Sequence, residues 1–185
     1  TDHLDSMAAG HLGDPARVHV EGMASRAILE DARMRVASWL GVRPRQIVFT
    51  SGATESIATA HHGALARSTS DGRDSVVLTA VEHSSVSENS LLHNHTIVPV
   101  DHSGRIVPQD LARAVDPATG IIHLQWANHE SGVTQPVIET IDALVDHARR
   151  GDQGPLVHVD AAQAGTAAPD AVASGADLVS ISGHK

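Results

Sequence analysis

Short apolar runs alternate along this chain with longer segments of mixed polarity. The runs at 46–50, 75–79, 96–100, 120–125, 156–159 and 178–181 are rich in β-branched residues and apolar nearly throughout. Such runs predict strands covered on both faces, since a half-exposed strand would alternate apolar and polar positions. Between most of them the apolar spacing becomes helical. Ile28, Ala32, Val36 and Trp39 fall on one face of a first helix, and Gly41 is its expected C-terminal stop. Val137, Ile141, Leu144, Val145 and Ala148 mark the buried stripe of another helix. Its Glu139 and Asp142 come early, Arg149 and Arg150 come late, and Gly151 follows, an order that suits the helix dipole. Alternation of this kind predicts an α/β domain of three layers, a mainly parallel sheet between two sets of helices.

In open sheets of this class the ligand lies beyond the carboxyl ends of the strands. The unusual polar clusters of this chain fall there. Thr50-Ser-Gly-Ala-Thr-Glu55 follows the first run, a small-residue turn opening a helix whose free N–H groups suit a phosphate. The same residues serve equally as a plain helix cap. Val81-Glu-His-Ser-Ser85 follows the second run, and its His83 is either a structural imidazole or one that stacks on a ring and moves protons. Trp126-Ala-Asn-His-Glu-Ser-Gly132 follows the fourth. His158-Val-Asp-Ala-Ala-Gln163 closes the fifth, where Asp160 leaves an apolar strand and needs a partner for its charge.

After the last run comes Ser180-Ile-Ser-Gly-His-Lys185, which ends on the chain's only lysine among 13 basic residues. Arginine stays protonated, whereas a lysine in a suitable site loses its proton and forms a Schiff base with an aldehyde. A lone lysine is more often a solvated surface charge, so its neighbours carry the argument. One ligand uses all five clusters: pyridoxal phosphate, with Lys185 on its aldehyde, Asp160 on its pyridine nitrogen and Thr54 on its phosphate.

Composition narrows the classes. The 185 residues are 41% hydrophobic and 19% charged, as expected of one globular domain. A net charge of −9 argues against a nucleic-acid partner. No apolar run reaches the roughly 20 residues of a membrane span, and no leader-like segment opens the chain. With no cysteine there is no disulfide, thiolate ligand or sulfur nucleophile, and a cytoplasmic location is expected. The 14 histidines are scattered, and neither His61-His62 nor His93-Asn-His95 has an acidic or cysteine partner at ligand spacing, so no metal site is expected.

Taken in order, Ile47-Val-Phe-Thr-Ser-Gly-Ala-Thr-Glu55, Glu82-His83, Ala127-Asn-His-Glu-Ser-Gly132 with Gln135-Pro136, His158-Val-Asp-Ala-Ala-Gln163 and Ser180-Ile-Ser-Gly-His-Lys185 resemble the successive motifs of cysteine desulfurases. These are fold-type-I pyridoxal-phosphate enzymes of the class V aminotransferase group. The resemblance runs from about Leu4 to Lys185 and implies an incomplete large domain: an arm over about 1–23, a cofactor-binding α/β region over about 24–185, and no small C-terminal domain. It implies a seven-stranded sheet in the complete large domain and a homodimer.

By position, the resemblance gives Ala53, Thr54, Ser182 and His184 to the phosphate. His83 stacks on the ring and transfers protons, Asp160 pairs with the pyridine nitrogen, and Gln163 donates to the ring hydroxyl oxygen. Lys185 is the Schiff-base lysine and proton shuttle, and His19 lies near the substrate entrance. His129 stands where the family has the second asparagine of Asn-Asn-Glu, a place that touches the cofactor. Asp14-Pro15 follows Leu4-Asp-Ser-Met-Ala-Ala9 almost at once, where the family has a helix of roughly five turns, about 18 to 20 residues.

The implied reaction takes sulfur from L-cysteine to a cysteine outside this sequence, for passage to an acceptor protein and pathways such as iron–sulfur cluster assembly. A selenocysteine lyase, a C–S lyase or an aminotransferase would reuse the same pocket. A fragment of this length would also serve as an inactive scaffold.

Overall fold

The computed structural model describes residues 13–147 and 154–185. The expected opening at 4–9, and Ala148, Arg149, Arg150 and Gly151, lie outside the described residues. The chain divides into two compact units, Thr1–Phe49 and Thr50–Lys185.

In the first unit, helix α1 spans Val20–Leu40. It starts where His19 Nδ1 accepts the Gly22 N–H at 3.0 Å and stops at Gly41, whose φ of 69° is left-handed. The N–H groups of Gly41 and Val42 both reach back to the last turn, a pattern that satisfies its orphan carbonyls. The expected stripe is displaced: Ala37 and Leu40 are buried, whereas Ile28 and Trp39 are exposed. Within this unit the helix packs on the following 3-10 turn, Pro44–Gln46, and its buried side chains lie at the end nearest that turn in the chain.

The run at 46–50 forms no strand. Strand geometry needs a ladder partner, and none pairs with it among the described residues. The Ile47 carbonyl instead accepts from Arg33 Nη1, and the same guanidinium lies 5.0 Å from the centre of the Phe49 ring.

The second unit holds a five-stranded, wholly parallel sheet. Its elements in order are α2 (Ala53–Ser68), β1 (Ser75–Thr79), α3 (Ser84–Ser90), β2 (His95–Val98), α4 (Pro108–Ala114), β3 (Thr119–Gln125), α5 (Val137–His147), β4 (Leu156–Asp160), α6 (Ala168–Ala173) and β5 (Leu178–Ser180). The strand order is β2-β1-β3-β4-β5. Five strands are present among the described residues where the resemblance implied seven. β2 ends one residue before Pro99, whose ring nitrogen cannot donate to a ladder.

Alternation along each strand sorts side chains to two faces. On one face Val77, Ile122, Leu124, Val157 and Val159 join Leu111 of α4 and Ile141 and Leu144 of α5 in one core. On the other, Val76, Leu78 and Ile121 pack on Ile57, Ala64 and Leu65 of α2 and Val86 of α3. Each buried Val, Leu or Ile side chain among them contributes roughly 1.5–3 kcal/mol. Helices on both sides of a parallel sheet are the three expected layers, and all seven residues of β3 are buried as a doubly covered strand requires.

The α2 face changes character along the strands. Ile121 and Leu156 sit in register at its amino end, His123 and His158 two residues on, and Gln125, Asp160 and Ser180 at the carboxyl end. That gradient from apolar to polar positions the site. Among the described residues no helix is long and apolar enough to cross a membrane.

Candidate active site at the carboxyl ends of the strands

Four of the five polar clusters follow strands of the sheet; the fifth, at 50–55, opens α2 without a strand before it. Asp160, the last residue of β4, is buried. It accepts the Ala162 N–H at 3.0 Å, and among the described residues no cation lies within ion-pair distance. Loss of water pushes its carboxyl pKa up. The Ala162 hydrogen bond and the nearby charges of His83, Lys185 and His129 pull it back down. The carboxyl therefore feels the charge of the lysine amine and of two imidazoles.

His83 caps α3: its Nδ1 pairs with the Ser85 hydroxyl at 2.8 Å and accepts the Ser85 N–H at 3.1 Å. That cap leaves Nε2 as the proton-bearing nitrogen when the ring is neutral. The His129 ring lies edge-on to it, 5.1 Å between centres. Both line a cavity of about 650 Å³, together with Glu82, Asn128 and Ser131. Asn128 shapes this rim; its Oδ1 accepts from the backbone of Glu130 and Ser131, and its Nδ2 donates to Val81 O and Gln125 Oε1. Asp160, Gln163 and Lys185 do not line the cavity.

At the start of α2, Gly52 has no side chain to cap the helix, and the first-turn N–H groups lack intrahelical acceptors. Ala53 is half-buried and Thr54 exposed. Ser56, one turn in, binds the Ser180 hydroxyl at 2.8 Å and so ties this helix start to β5. Beyond β5, Ser182 Oγ lies 3.0 Å from His184 Nδ1, and both are near the surface with Lys185. Gln163 is exposed. His19 belongs to the first unit, where it caps α1.

Two features lay beyond sequence reasoning. The Glu82 carboxyl is enclosed: Oε1 accepts from Thr79 Oγ1 at 2.7 Å and Gln125 N at 2.9 Å, while Oε2 is buried with no partner among the described residues. Burial first, then the nearby Asp160 charge, push its pKa up to about 8, against hydrogen bonds that lower it. Glu82 is thus a neutral acid at pH 7 beside the ionisable Asp160.

The second feature is a file of buried imidazoles. His61 Nδ1 meets His123 Nε2 at 3.0 Å, His123 Nδ1 meets His158 Nδ1 at 2.9 Å, and His158 Nε2 meets Ser180 Oγ at 2.9 Å. Desolvation lowers all three pKa values, to about 4 for His61, about 3 for His158 and well below the ordinary range for His123. The signal available in the sequence was a histidine at the inward position of two apolar strands and one on the helix covering them.

Residues 3–185 match the Aminotransferase class-V family. The chain belongs to that family. This class-V chain is 37% identical over 192 residues to cysteine desulfurase of Mus musculus, covering 98% of itself and 40% of that protein. To the NifS/IcsS protein homolog of Lactobacillus delbrueckii it is 36% identical over 182 residues, 94% of itself and 45% of that protein. DndA from Streptomyces lividans superposes with a TM-score of 0.83 at 32% identity, over 98% of this chain and half of that one. SspA in complex with cysteine gives a TM-score of 0.79 at 26% identity, over 94% and 50%. The class-V chain therefore spans less than half the length of the curated relatives it matches.

Proposed function

We propose that the full-length protein is a pyridoxal-phosphate-dependent cysteine desulfurase, acting on L-cysteine as a homodimer in the cytoplasm. The observation that carries this reading is Asp160: a buried carboxylate with no ion-paired cation among the described residues, within electrostatic reach of Lys185, His83 and His129. A protonated pyridine nitrogen is the partner such a carboxylate lacks, so the donor set fits the cofactor. Relatives named cysteine desulfurase, and a similar fold solved with cysteine, support the substrate.

Asp160 would hold the ring nitrogen, Gln163 the ring hydroxyl oxygen, and Ala53, Thr54, Ser182 and His184 the phosphate. His83 would cover the ring, and His129 would offer a ring N–H where the family has an asparagine. The cofactor supplies an electron sink for the bond cleavages at the substrate's α-carbon and beyond. Lys185 Nζ would bond the cofactor aldehyde at rest and, once displaced, take the α-proton and return it. His83 Nε2, held outward by the Ser85 cap on Nδ1, would move the second proton. His19 would serve the substrate entrance.

No cysteine occurs in the 185 residues, so the thiol that receives sulfur lies elsewhere. From it sulfur would pass to an acceptor protein, with iron–sulfur assembly one destination. A reducing compartment keeps such thiols free.

The test is the full-length protein with pyridoxal phosphate, L-cysteine and a reducing thiol. Alanine and sulfide should appear in equal amounts, and Lys185→Ala should abolish both along with the borohydride-reducible adduct. Pyruvate in place of alanine, or no adduct in the parent protein, would refute the reading.

A further inference from the structure

We propose that His61, His62 and His93 bind a divalent ion of the zinc type, with His123 and His158 as the outer shell that orients the buried ligand. His61 and His62 lie on α2, and His93 lies in the turn between α3 and β2, so only the fold unites them. One ring nitrogen from each comes within 4.8 Å of the other two. The His61 ring centre is 5.2 Å from that of His62 and 5.3 Å from that of His93. Three imidazoles and an exchangeable water are a familiar donor set for zinc, and imidazole also suits nickel, cobalt and copper.

A second observation points to the same ligand. His61 is wholly buried, and its Nε2 has no hydrogen-bond partner among the described residues. A buried ring nitrogen left unpaired costs roughly 1–3 kcal/mol. The file of imidazoles allows two proton orders, and one of them presents that nitrogen as a metal needs it. With a proton on His61 Nδ1, each ring donates onward: His61 to His123 Nε2, His123 Nδ1 to His158 Nδ1, and His158 Nε2 to Ser180 Oγ. That order leaves a bare lone pair on His61 Nε2, as a metal requires. Ligating histidines almost always donate their other N–H to a fixed acceptor, which here is His123.

The geometry needs little adjustment. Metal–nitrogen bonds of about 2.0–2.1 Å in a tetrahedron place ligand nitrogens about 3.4 Å apart. Exposed His62 and half-buried His93 can close that gap by side-chain rotation, while His61 stays fixed by its bond to His123. His62 at the surface also gives the ion a way in and a free coordination position.

The full-length protein, without a histidine tag and without cysteine in the buffer, should bind one equivalent of Co²⁺ with the visible bands of a four-coordinate ion, and Zn²⁺ should displace it. His62→Ala and His93→Ala should each weaken binding about tenfold or more, the scale on which metal sites respond to lost support. Exposed His102→Ala should leave it unchanged, and circular dichroism should find all three variants folded. Nitrogen-15 spectra of the zinc-loaded protein should show the His61 proton on Nδ1. Absence of stoichiometric binding, binding indifferent to both ligand variants, or a His61 proton on Nε2 in the loaded protein would each overturn the proposal.

Discussion

A carboxyl group that keeps its proton at neutral pH stabilises a fold only while it keeps it. Glu82 has its pKa raised from 4.5 to about 8, so the folded state binds the proton more tightly than the unfolded chain. Its contribution is complete below about 4.5 and is lost as pH rises through about 8, at up to about 1.4 kcal/mol per pH unit. Glu82→Gln imitates the protonated form: its amide oxygen still accepts from Thr79 and Gln125. Urea denaturation should therefore find the variant gaining on the parent between pH 6 and pH 9. A constant difference across that range would contradict a neutral Glu82. Gly41 supports a second residue-scale test. Among the described residues nothing lies within 4 Å of where its side chain would be, so Gly41→Ala carries only the left-handed strain, a loss of about 1–2 kcal/mol in the same assay. The sequence made Gly41 readable because a glycine after a helical stripe has one common use. Glu82 was named only as half of a motif, because enclosure by Thr79 and Gln125 comes from two strands and leaves no trace in local spacing.

Among elements, the strands buried on both faces were readable from their unbroken apolar character, and β1, β3, β4 and β5 lie where expected within a residue or two. The run at 46–50 has the same character and is no strand, because pairing is a property of a neighbour and not of the run. The stripe expected on α1 differs for a related reason: the spacing offers several apolar faces, and burial falls on Ala37 and Leu40 at the end of the helix. The histidine file is the element-scale feature with the sharpest consequence. His123 and His158 are neighbours across β3 and β4, and His61 reaches them from α2. Ser180→Ala should strand His158 Nε2 and the Ser56 hydroxyl together, costing roughly 1–3 kcal/mol in chemical denaturation. In a double-mutant cycle His123 and His158 should couple by about 0.5–3 kcal/mol, since each orphans the other.

For the molecule as a whole, these titrations oppose one another. The three buried imidazoles have depressed pKa values, so their neutral forms stabilise the fold at and above pH 6.5, and that support is lost as pH falls through about 4 and 3. Glu82 works in the other direction up to about 8. Thermal unfolding should thus show greatest stability near pH 6.5, falling on both sides; Glu82→Gln should flatten the alkaline side and steepen the acid side down to about pH 4.5. The family and the three layers were legible because ordered motifs and layer alternation are properties of the chain itself. The number of strands was not, since the run at 46–50 needs a partner that local sequence does not supply. Along the side of β5 that faces away from β4, amide and carbonyl groups meet no other strand among the described residues, and the half-buried Leu178 and Val179 lie beside them. Such a seam accepts any extended peptide of suitable character. The 185 residues prepared alone should scatter light increasingly with concentration, whereas a proline set into that seam would leave a clear solution.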